Sequence, residues 1–449
     1  MSNSITAPND GILLSPVPIM TKRLLEKSID KNDQLTPDTL IWVEKIRRFA
    51  SYNGRHLRKR ADERFGSQSP DELFWMFRFL VSSMSKHPTK LLNSVDGATL
   101  SAALYLKDSI SSQNIELQKK LKECLNNYLY CLEIHSINNL KSTEIDGPQF
   151  QPLNKKLLLE ESSTAKSIII FSPNPYSLYS RSVLRLCQLI NMPISGIVLR
   201  SMSFSRFKSE WNRDGTRLVR KIWRKLILKE DEYKERSNLN VKTVVEKLNT
   251  PTNDIRSMAK AMKIPCISVP ELIDSIKFID HRDPQIGLFT GGGIMPQEIV
   301  NLFSIGVINV HMGHLPRYKG MDVAHAPIME GKDENIGLTS HLMDKSIDTG
   351  PIIQNLNLGY ISSFNGIGEI RNALSCFMPF VSVDSACGLV GGRLVAQPQQ
   401  TPGRMHYYIH PKLKKLVESS VAKRQKHNDS GANDYLNLLL QESINSYMS

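Results

Sequence analysis

Between Val307 and Gly320 the chain reads VINVHMGHLPRYKG. Asn309 and His311 stand two apart in a β-branched run, so strand alternation puts both side chains on one face. An amide beside an imidazole can hydrogen-bond a carbonyl oxygen and handle a proton near neutral pH. Gly313, Pro316 and Gly320 punctuate the loop that follows. A second segment, Ile336 to Pro351, reads as a strand (GLTSHL) running into a turn that presents Asp344 and Asp348. Upstream, Gly291, Gly292 and Gly293 form a turn after the apolar run IGLFT and lead into Ile294 and Met295. Such glycines let a backbone approach a flat ring closely.

The elements that must position these residues begin at Ala165. Short β-branched runs (SIIIF, ISGIVL, IPCIS, IGLFT, VINVH) alternate with helical stretches such as LYSRSVLRLCQLI and NDIRSMAKAMK. That alternation predicts an α/β fold with a Rossmann-like open, mostly parallel sheet covered on both faces. In such sheets ligands bind beyond the carboxyl ends of the strands, where the strand order reverses. In front of it the pattern is helical. Ile41, Trp42, Ile46 and Phe49 share a stripe, Ser69-Pro70-Asp71-Glu72 is a helix-start signature, and IELQKKLKECLNNYLYCLEI repeats apolar residues every three or four positions. The expected organisation is a loose arm over 1–36, a separate all-helical domain over 37–140 and a Gly/Pro-containing linker over 141–164. The chemical domain then covers 165–427 with a basic insertion at 200–250, and 428–449 is a tail.

Composition excludes several classes. The chain has 449 residues, 41% apolar and 22% charged, which rules out wholesale disorder and allows about three domains. No window approaches eighteen consecutive apolar residues, so no membrane span is expected. The first residues lack the pattern of a signal peptide. Six scattered cysteines without a CxxC pair fit reduced thiols in the cytoplasm. The net charge of +13 is carried by residues 200–225 and 404–426, which suits a phosphate-bearing partner or two solvated helix faces. His311, His314, His325 and His341 cluster in sequence, but a loop His-x-x-His lacks the helical spacing of a hydrolytic zinc motif, so no metal is expected. Asp348-Thr349-Gly350 spells an aspartic-protease triplet, a chemistry that needs a second such carboxylate in apolar surroundings.

NVHMGHLPRYKG followed by GLTSHLMDKSIDTGPII resembles the formyltransferases that use 10-formyltetrahydrofolate, the methionyl-tRNA and sugar N-formyltransferases among them. Their motif is Asn-x-His, a loop closing in Leu-Pro and Gly, and an Asp about 37 residues beyond the His; here His311 and Asp348 have that spacing. The resemblance runs from about Ser167 to Gly359, with PQQTPGRMHYYIHPKL from Pro398 to Leu413 beside it. It implies the formyltransferase fold, catalytic roles for Asn309, His311 and Asp348, and 10-formyltetrahydrofolate as co-substrate. It also implies that the pterin lies between Gly291–Met295 (Gly291, Gly292, Gly293, Ile294, Met295) and a loop with Met343 and Asp344. His341 matches a histidine seen in some members. Met312-Gly313 stands where Pro-Ser is common and His314 where Leu is usual. Ser172-Pro173-Asn174-Pro175 is no glycine-rich phosphate loop, which argues against glycinamide ribonucleotide as acceptor. The implied activity is formyl transfer to a primary amine: an amino sugar, an aminoacyl group or a small amine. Methionyl-tRNA is the alternative; the stretch after Tyr360 does not read as the β-barrel such enzymes append. A deformylase is disfavoured because the front is helical rather than βαββαβ, and a silent scaffold because all three catalytic positions are intact.

Overall fold

The computed structural model describes residues 77, 81, 96–109, 115–138, 148–201, 239–252, 254–291, 294–358, 364, 366–401, 403–406, 408–424 and 431–448. The arm at 1–36 and residues 202–238 of the basic insertion lie outside them. The chain divides into two units.

The first unit takes Met1–Leu140, Ile328–Lys332 and His406–Ser420. Its helices α1 (Asp96–Ser109) and α2 (Ile115–Asn138) follow the three- and four-residue periodicity. Leu117, Leu121, Cys124 and Tyr128 form the buried stripe of α2 while Glu116, Lys119 and Lys120 face solvent. The sequence places 406–420 in the chemical domain, but in the structure this stretch packs with the helical unit. Tyr105 Oη donates to the Ile409 carbonyl at 3.1 Å, and the His410 amide donates to Ser101 Oγ at 2.8 Å. His410 Nε2 lies 3.1 Å from Asp108 Oδ2. The segment buries Ile409, Leu413 and Val417, but which unit it joins is set by partners distant in sequence that no local pattern reveals.

The second unit is the α/β body. In chain order it holds α3 (Lys155–Ser162), β1 (Ile168–Ser172), α4 (Leu178–Leu189), β2 (Ile194–Arg200), α5 (Val241–Lys247), α6 (Ile255–Ala261), β3 (Cys266–Val269) and α7 (Ile276–Asp280). There follow β4 (Ile286–Phe289), α8 (Gln297–Val300), β5 (Gly306–His311), β6 (Tyr318–Gly320), β7 (Gly337–Leu342), β8 (Ile352–Asn357), α9 (Ile367–Gly391) and β9 (Arg404–His406), whose last residue counts with the first unit. Helix starts use the expected chemistry: the side chains of Asn154, Ser177, Asn240 and Asp254 accept from first-turn amides. The main sheet has the order β3-β2-β1-β4-β5-β7-β8, parallel from β3 to β5 and antiparallel for β7 and β8. All five residues of β1 are buried, as a central strand covered on both faces requires. The strand order reverses between β1 and β4.

Two further stretches depart from the sequence reading. The proposed linker holds α3 and an edge bridge, because β8 offers backbone groups that need partners. The Phe150 amide donates to the Asn355 carbonyl at 2.6 Å and the Asn355 amide to the Pro148 carbonyl at 2.8 Å. The supposed tail is a helix, α10 (Gly431–Met448), which buries Leu436, Leu440, Ile444 and Tyr447. Helix α9 is long and apolar enough by composition to cross a membrane, with a mean hydropathy of 1.6, and 78% of that window is buried in the protein. It packs on the sheet face opposite His341, since the neighbouring Ser340 accepts from Ser385 Oγ of α9 at 2.7 Å.

The polar interior of α9 is neutralised by one arginine. Arg393 Nε reaches Glu161 Oε1 at 2.7 Å, and its Nη2 reaches Asp384 Oδ1 at 2.8 Å. Gln354 Nε2 donates to the other Asp384 oxygen at 2.8 Å. Burial pushes the Asp384 carboxyl above its ordinary range, and Arg393 opposes that shift. The triad fastens α3 and α9 together, and Gln354 carries the connection to β8.

The loop leaving β5 is seated by His314, whose ring is 3% exposed. It lies against Gly337, where any Cβ would collide with the imidazole and with the Leu356 carbonyl. The Leu315 amide donates to Thr339 Oγ1 at 3.1 Å, and Thr339 Oγ1 donates to Asn355 Oδ1 at 2.5 Å. Burial drives the His314 pKa down to about 4.

Two stability predictions follow from these anchors. Arg393→Met leaves Glu161 and Asp384 buried without their cation and should cost about 3–5 kcal/mol of unfolding free energy in urea titrations; an unchanged midpoint would mean the triad is dispensable. For His314, the unfolded chain binds the proton near pH 6.5 and the folded chain only near 4. Stability from the neutral ring is therefore fully present above about pH 6.5 and is lost as pH falls towards 4. Wild type should lose roughly 2 kcal/mol more than His314→Gln between pH 7 and pH 5. Equal losses would show that the ring is solvated.

Candidate active site

Strand alternation places Val307, Asn309 and His311 on one face of β5. Register puts Phe289 of β4 opposite Asn309 on one side and His341 of β7 opposite it on the other. Cross-strand partners share a face, so this part of the sheet presents an apolar ring, an amide and an imidazole in one row, with the His311 imidazole beside it on the same face. The loop 343–351 folds over that face and supplies Asp348. The structure thus brings Asn309, His311, His341 and Asp348 together, on the sheet face at β5 and β7 and one strand removed from the β1/β4 reversal.

The hydrogen bonds assign donors and acceptors. Asn309 Nδ2 lies 3.2 Å from His341 Nε2, and an amide nitrogen can only donate. His341 Nε2 is therefore the acceptor, and its proton sits on Nδ1, which donates to the Leu342 carbonyl at 2.9 Å. This neutral form agrees with burial, which pushes the His341 pKa down, against the pull of Asp348. It leaves the second N–H of Asn309 uncommitted to His341. His311 Nε2 lies 2.8 Å from the Tyr318 carbonyl, an acceptor only, so Nε2 carries a hydrogen. Its Nδ1 faces Asp348 Oδ2 at 3.4 Å. A proton taken up on Nδ1 meets a carboxylate, and the ring then donates from both nitrogens.

Asp348 is held from several sides. Its Oδ2 accepts from the Gly320 amide at 2.8 Å, and its Oδ1 lies 3.6 Å from His341 Nε2. Its backbone has φ of +55°, the left-handed region that non-glycine residues rarely adopt. Two residues on, Gly350 runs so close to the Leu342 carbonyl that no side chain fits. Asp344 shapes the same loop: it accepts from Thr349 Oγ1 at 2.7 Å and from the Ser346 amide at 3.1 Å. Its carboxylate is thus engaged within its own loop.

The residues expected to face a pterin divide. Met295 is buried in an apolar cluster with Phe171, Phe289, Phe303 and Val307, and Met343 packs on the edge of that cluster. Ile294, which precedes Met295 in the chain, is 41% exposed. Gly291 ends the turn after β4, while Gly292 and Gly293 lie outside the described residues. An apolar shelf built on buried Phe289 and Met295, with partly buried Met343 at its edge, lies on the sheet face of Asn309 and suits a flat ring. Among the described residues no group of three His, Cys, Asp or Glu side chains is placed to hold a metal ion. Two residues escaped the sequence reading. Lys319 is 5% exposed, and burial lowers its pKa while Asp344 and Asp348 oppose that shift. It stands in the short Pro/Gly-punctuated stretch LPRYKG, where no local pattern marks a buried lysine. Gln399 reaches the Asp348 turn from far along the chain, and no local pattern marks it.

Residues 288–361 match the family model described as formyl transferase. The methionyl-tRNA formyltransferase of Pelobacter propionicus is 26% identical over 178 residues, covering 39% of this chain and 55% of that protein. That of Desulforamulus reducens is 34% identical over 125 residues, covering 27% and 38%. The chain thus spans about half the length, or less, of these curated relatives. Among solved structures, the phosphoribosylglycinamide formyltransferase of Coxiella burnetii aligns over 54% of this chain and 99% of its own, with 14% identity and a TM-score of 0.36. The family match falls on β4 through β8, the strands and loops that bring Asn309, His311 and Asp348 together, so it is residues 288–361 that are similar to the formyl transferase family.

Proposed function

We propose that this chain transfers a formyl group from 10-formyltetrahydrofolate to a primary amine. The observation that carries the reading is the row Phe289–Asn309–His341 with His311 and Asp348 beside it. The folate, when bound, supplies an electrophilic formyl carbon. Phe289, Met295, Met343 and Ile294 would hold its ring, and the Gly291 turn would approach the ring's edge. Attack by an amine builds negative charge on the formyl oxygen. Asn309, its amide oriented by His341, donates its remaining N–H to that oxygen. His311 accepts a proton on Nδ1 and, once charged, stands next to the developing oxyanion. Asp348 balances that charge and keeps the ring from turning. Because both ring nitrogens face acceptors, His311 acts chiefly through its charge; the proton lost by the amine passes by way of His311 and the Asp348 carboxylate to the folate nitrogen, whose bond to the formyl carbon breaks as tetrahydrofolate leaves.

The acceptor reading stays at the level of a primary amine: an amino sugar, an aminoacyl group or a small amine, phosphate-bearing in keeping with the basic segments. A methionyl-tRNA acceptor is the second reading, favoured by the names of the curated relatives and by the net charge of +13. Hydrolysis of the formyl donor and a silent scaffold rank lower.

Incubation with 10-formyltetrahydrofolate and candidate amines, followed by the absorbance of released tetrahydrofolate, separates these readings. Release only with an amine supports transfer, release without one means hydrolysis, and folate binding without release means a scaffold. Asn309→Ala and His311→Ala should each lower kcat about 10²–10³-fold, some 3–4 kcal/mol, with far smaller effects on folate binding. Asp348→Asn should fall steeply while staying folded, and near-normal turnover there would sink the assignment. His314→Ala does not serve as an inert control, because His314 is a buried anchor; exposed Lys345→Ala serves instead and should keep wild-type turnover.

A further inference from the structure

The turn that carries Asp348 is gripped from outside by a side chain 51 residues further on. Gln399 Nε2 donates to the Asp348 carbonyl at 2.9 Å and to the Gly350 carbonyl at 2.9 Å, which uses both of its hydrogens. Its Oε1 is buried and has no hydrogen-bond partner. The amide orientation is therefore dictated by the two carbonyls, since the flipped amide would set oxygen against oxygen twice. The flanking backbone is pinned as well. Gln397 exchanges two backbone hydrogen bonds with Ile352, at 2.7 and 2.8 Å, where β8 begins. Further on, the Arg404 amide donates to the Arg317 carbonyl at 3.2 Å in the loop after β5. The segment from Gln397 to Arg404 thus runs from the loop bearing Asp348 to the loop that follows His311. Pinned on both sides, Gln399 has little freedom left to lose when it binds the turn.

Asp348 depends on such a grip. Its left-handed backbone is the conformation from which one carboxylate oxygen meets both the Gly320 amide and His311 Nδ1. Thr349 and Gly350 shape the turn from within, through Asp344 and Leu342. Neither holds the Asp348 carbonyl itself; among the described hydrogen bonds Gln399 does. We infer that Gln399 is a positioning residue that aims the Asp348 carboxylate at His311, and through it sets the rate of the proposed formyl transfer. The inference rests on that functional reading for its kinetic consequence and on the hydrogen bonds alone for its structural one.

The test uses the full chain with Gln399→Glu, which keeps the shape but puts oxygens against the two carbonyls. Expected is a fall in kcat of about 10–100-fold, since small displacements of a reacting group cost that much, with the KM for the formyl donor within about threefold. In an Asp348→Asn background the same substitution should change kcat less than threefold, because the carboxylate it aims is already gone. Ring-¹⁵N spectra of the histidines, with His311 identified by its loss in His311→Ala, should show the His311 nitrogens shifted in Gln399→Glu without any substrate. Should Gln399→Glu fail to fold, Gln399→Met, similar in shape and without N–H groups, is read by the same measurements. Full additivity with Asp348→Asn, or His311 resonances left in place, would overturn the inference. If wild type releases no tetrahydrofolate with any amine, the formyl-transfer reading falls, and the His311 spectrum still decides whether Gln399 aims Asp348.

Discussion

The carboxylate of Asp348 joins the two loops on which the candidate chemistry stands. One oxygen takes the Gly320 amide and faces His311, and the other faces His341. To reach all three, the residue adopts a left-handed backbone that an L side chain resists by roughly 1–2 kcal/mol. Such strain persists only where the surroundings over-determine it. Here they do so through the Thr349 hydroxyl on Asp344, the glycine packed on the Leu342 carbonyl and the Gln399 amide. The loop is rigid because several independent contacts would have to break together.

The sheet decides which groups that carboxylate can meet. Because β7 runs antiparallel to β5, His341 falls directly opposite Asn309, and the following loop returns over the same face. That loop is a hairpin connection because β8 runs antiparallel to β7; a parallel β8 would have needed a crossover of a dozen or more residues. The same register sets Phe289 beside Asn309, so the apolar shelf and the polar groups share one surface. On the opposite face α9 brings its own polar residues, and Arg393, Glu161, Asp384 and Gln354 satisfy one another there. The two polar systems occupy opposite sides of one sheet.

The three histidines are told apart by their hydrogen-bond partners. His341 and His314 are both enclosed, and burial drives both towards the neutral ring. A neutral His341 can accept the Asn309 hydrogen and so fix which end of that amide faces outward. His311 differs because acceptors stand at both of its nitrogens. The three histidines thus differ through their neighbours: His314 is an anchor, His341 orients Asn309, and His311 is the proton carrier of the proposed reaction.

Much of this was legible in the residues. Alternating β-branched runs and helical stretches required an open parallel sheet, because each element has one way to bury its apolar side. The two-residue spacing of Asn309 and His311 put them on one face, and the distance to Asp348 pointed to a loop that returns. What the sequence could not determine was anything resting on contacts between distant segments. Residues 406–420 join the helical unit through Tyr105, Ser101 and Asp108, the supposed linker holds α3 for the sake of Arg393, and His314 turns inward because Gly337 leaves room. Gln399 is the clearest case, a polar residue in a Pro/Gln-rich stretch that any local reading leaves to solvent. Local patterns report how a segment buries its own apolar side chains. Which polar groups it will satisfy is decided only when the chain closes on itself.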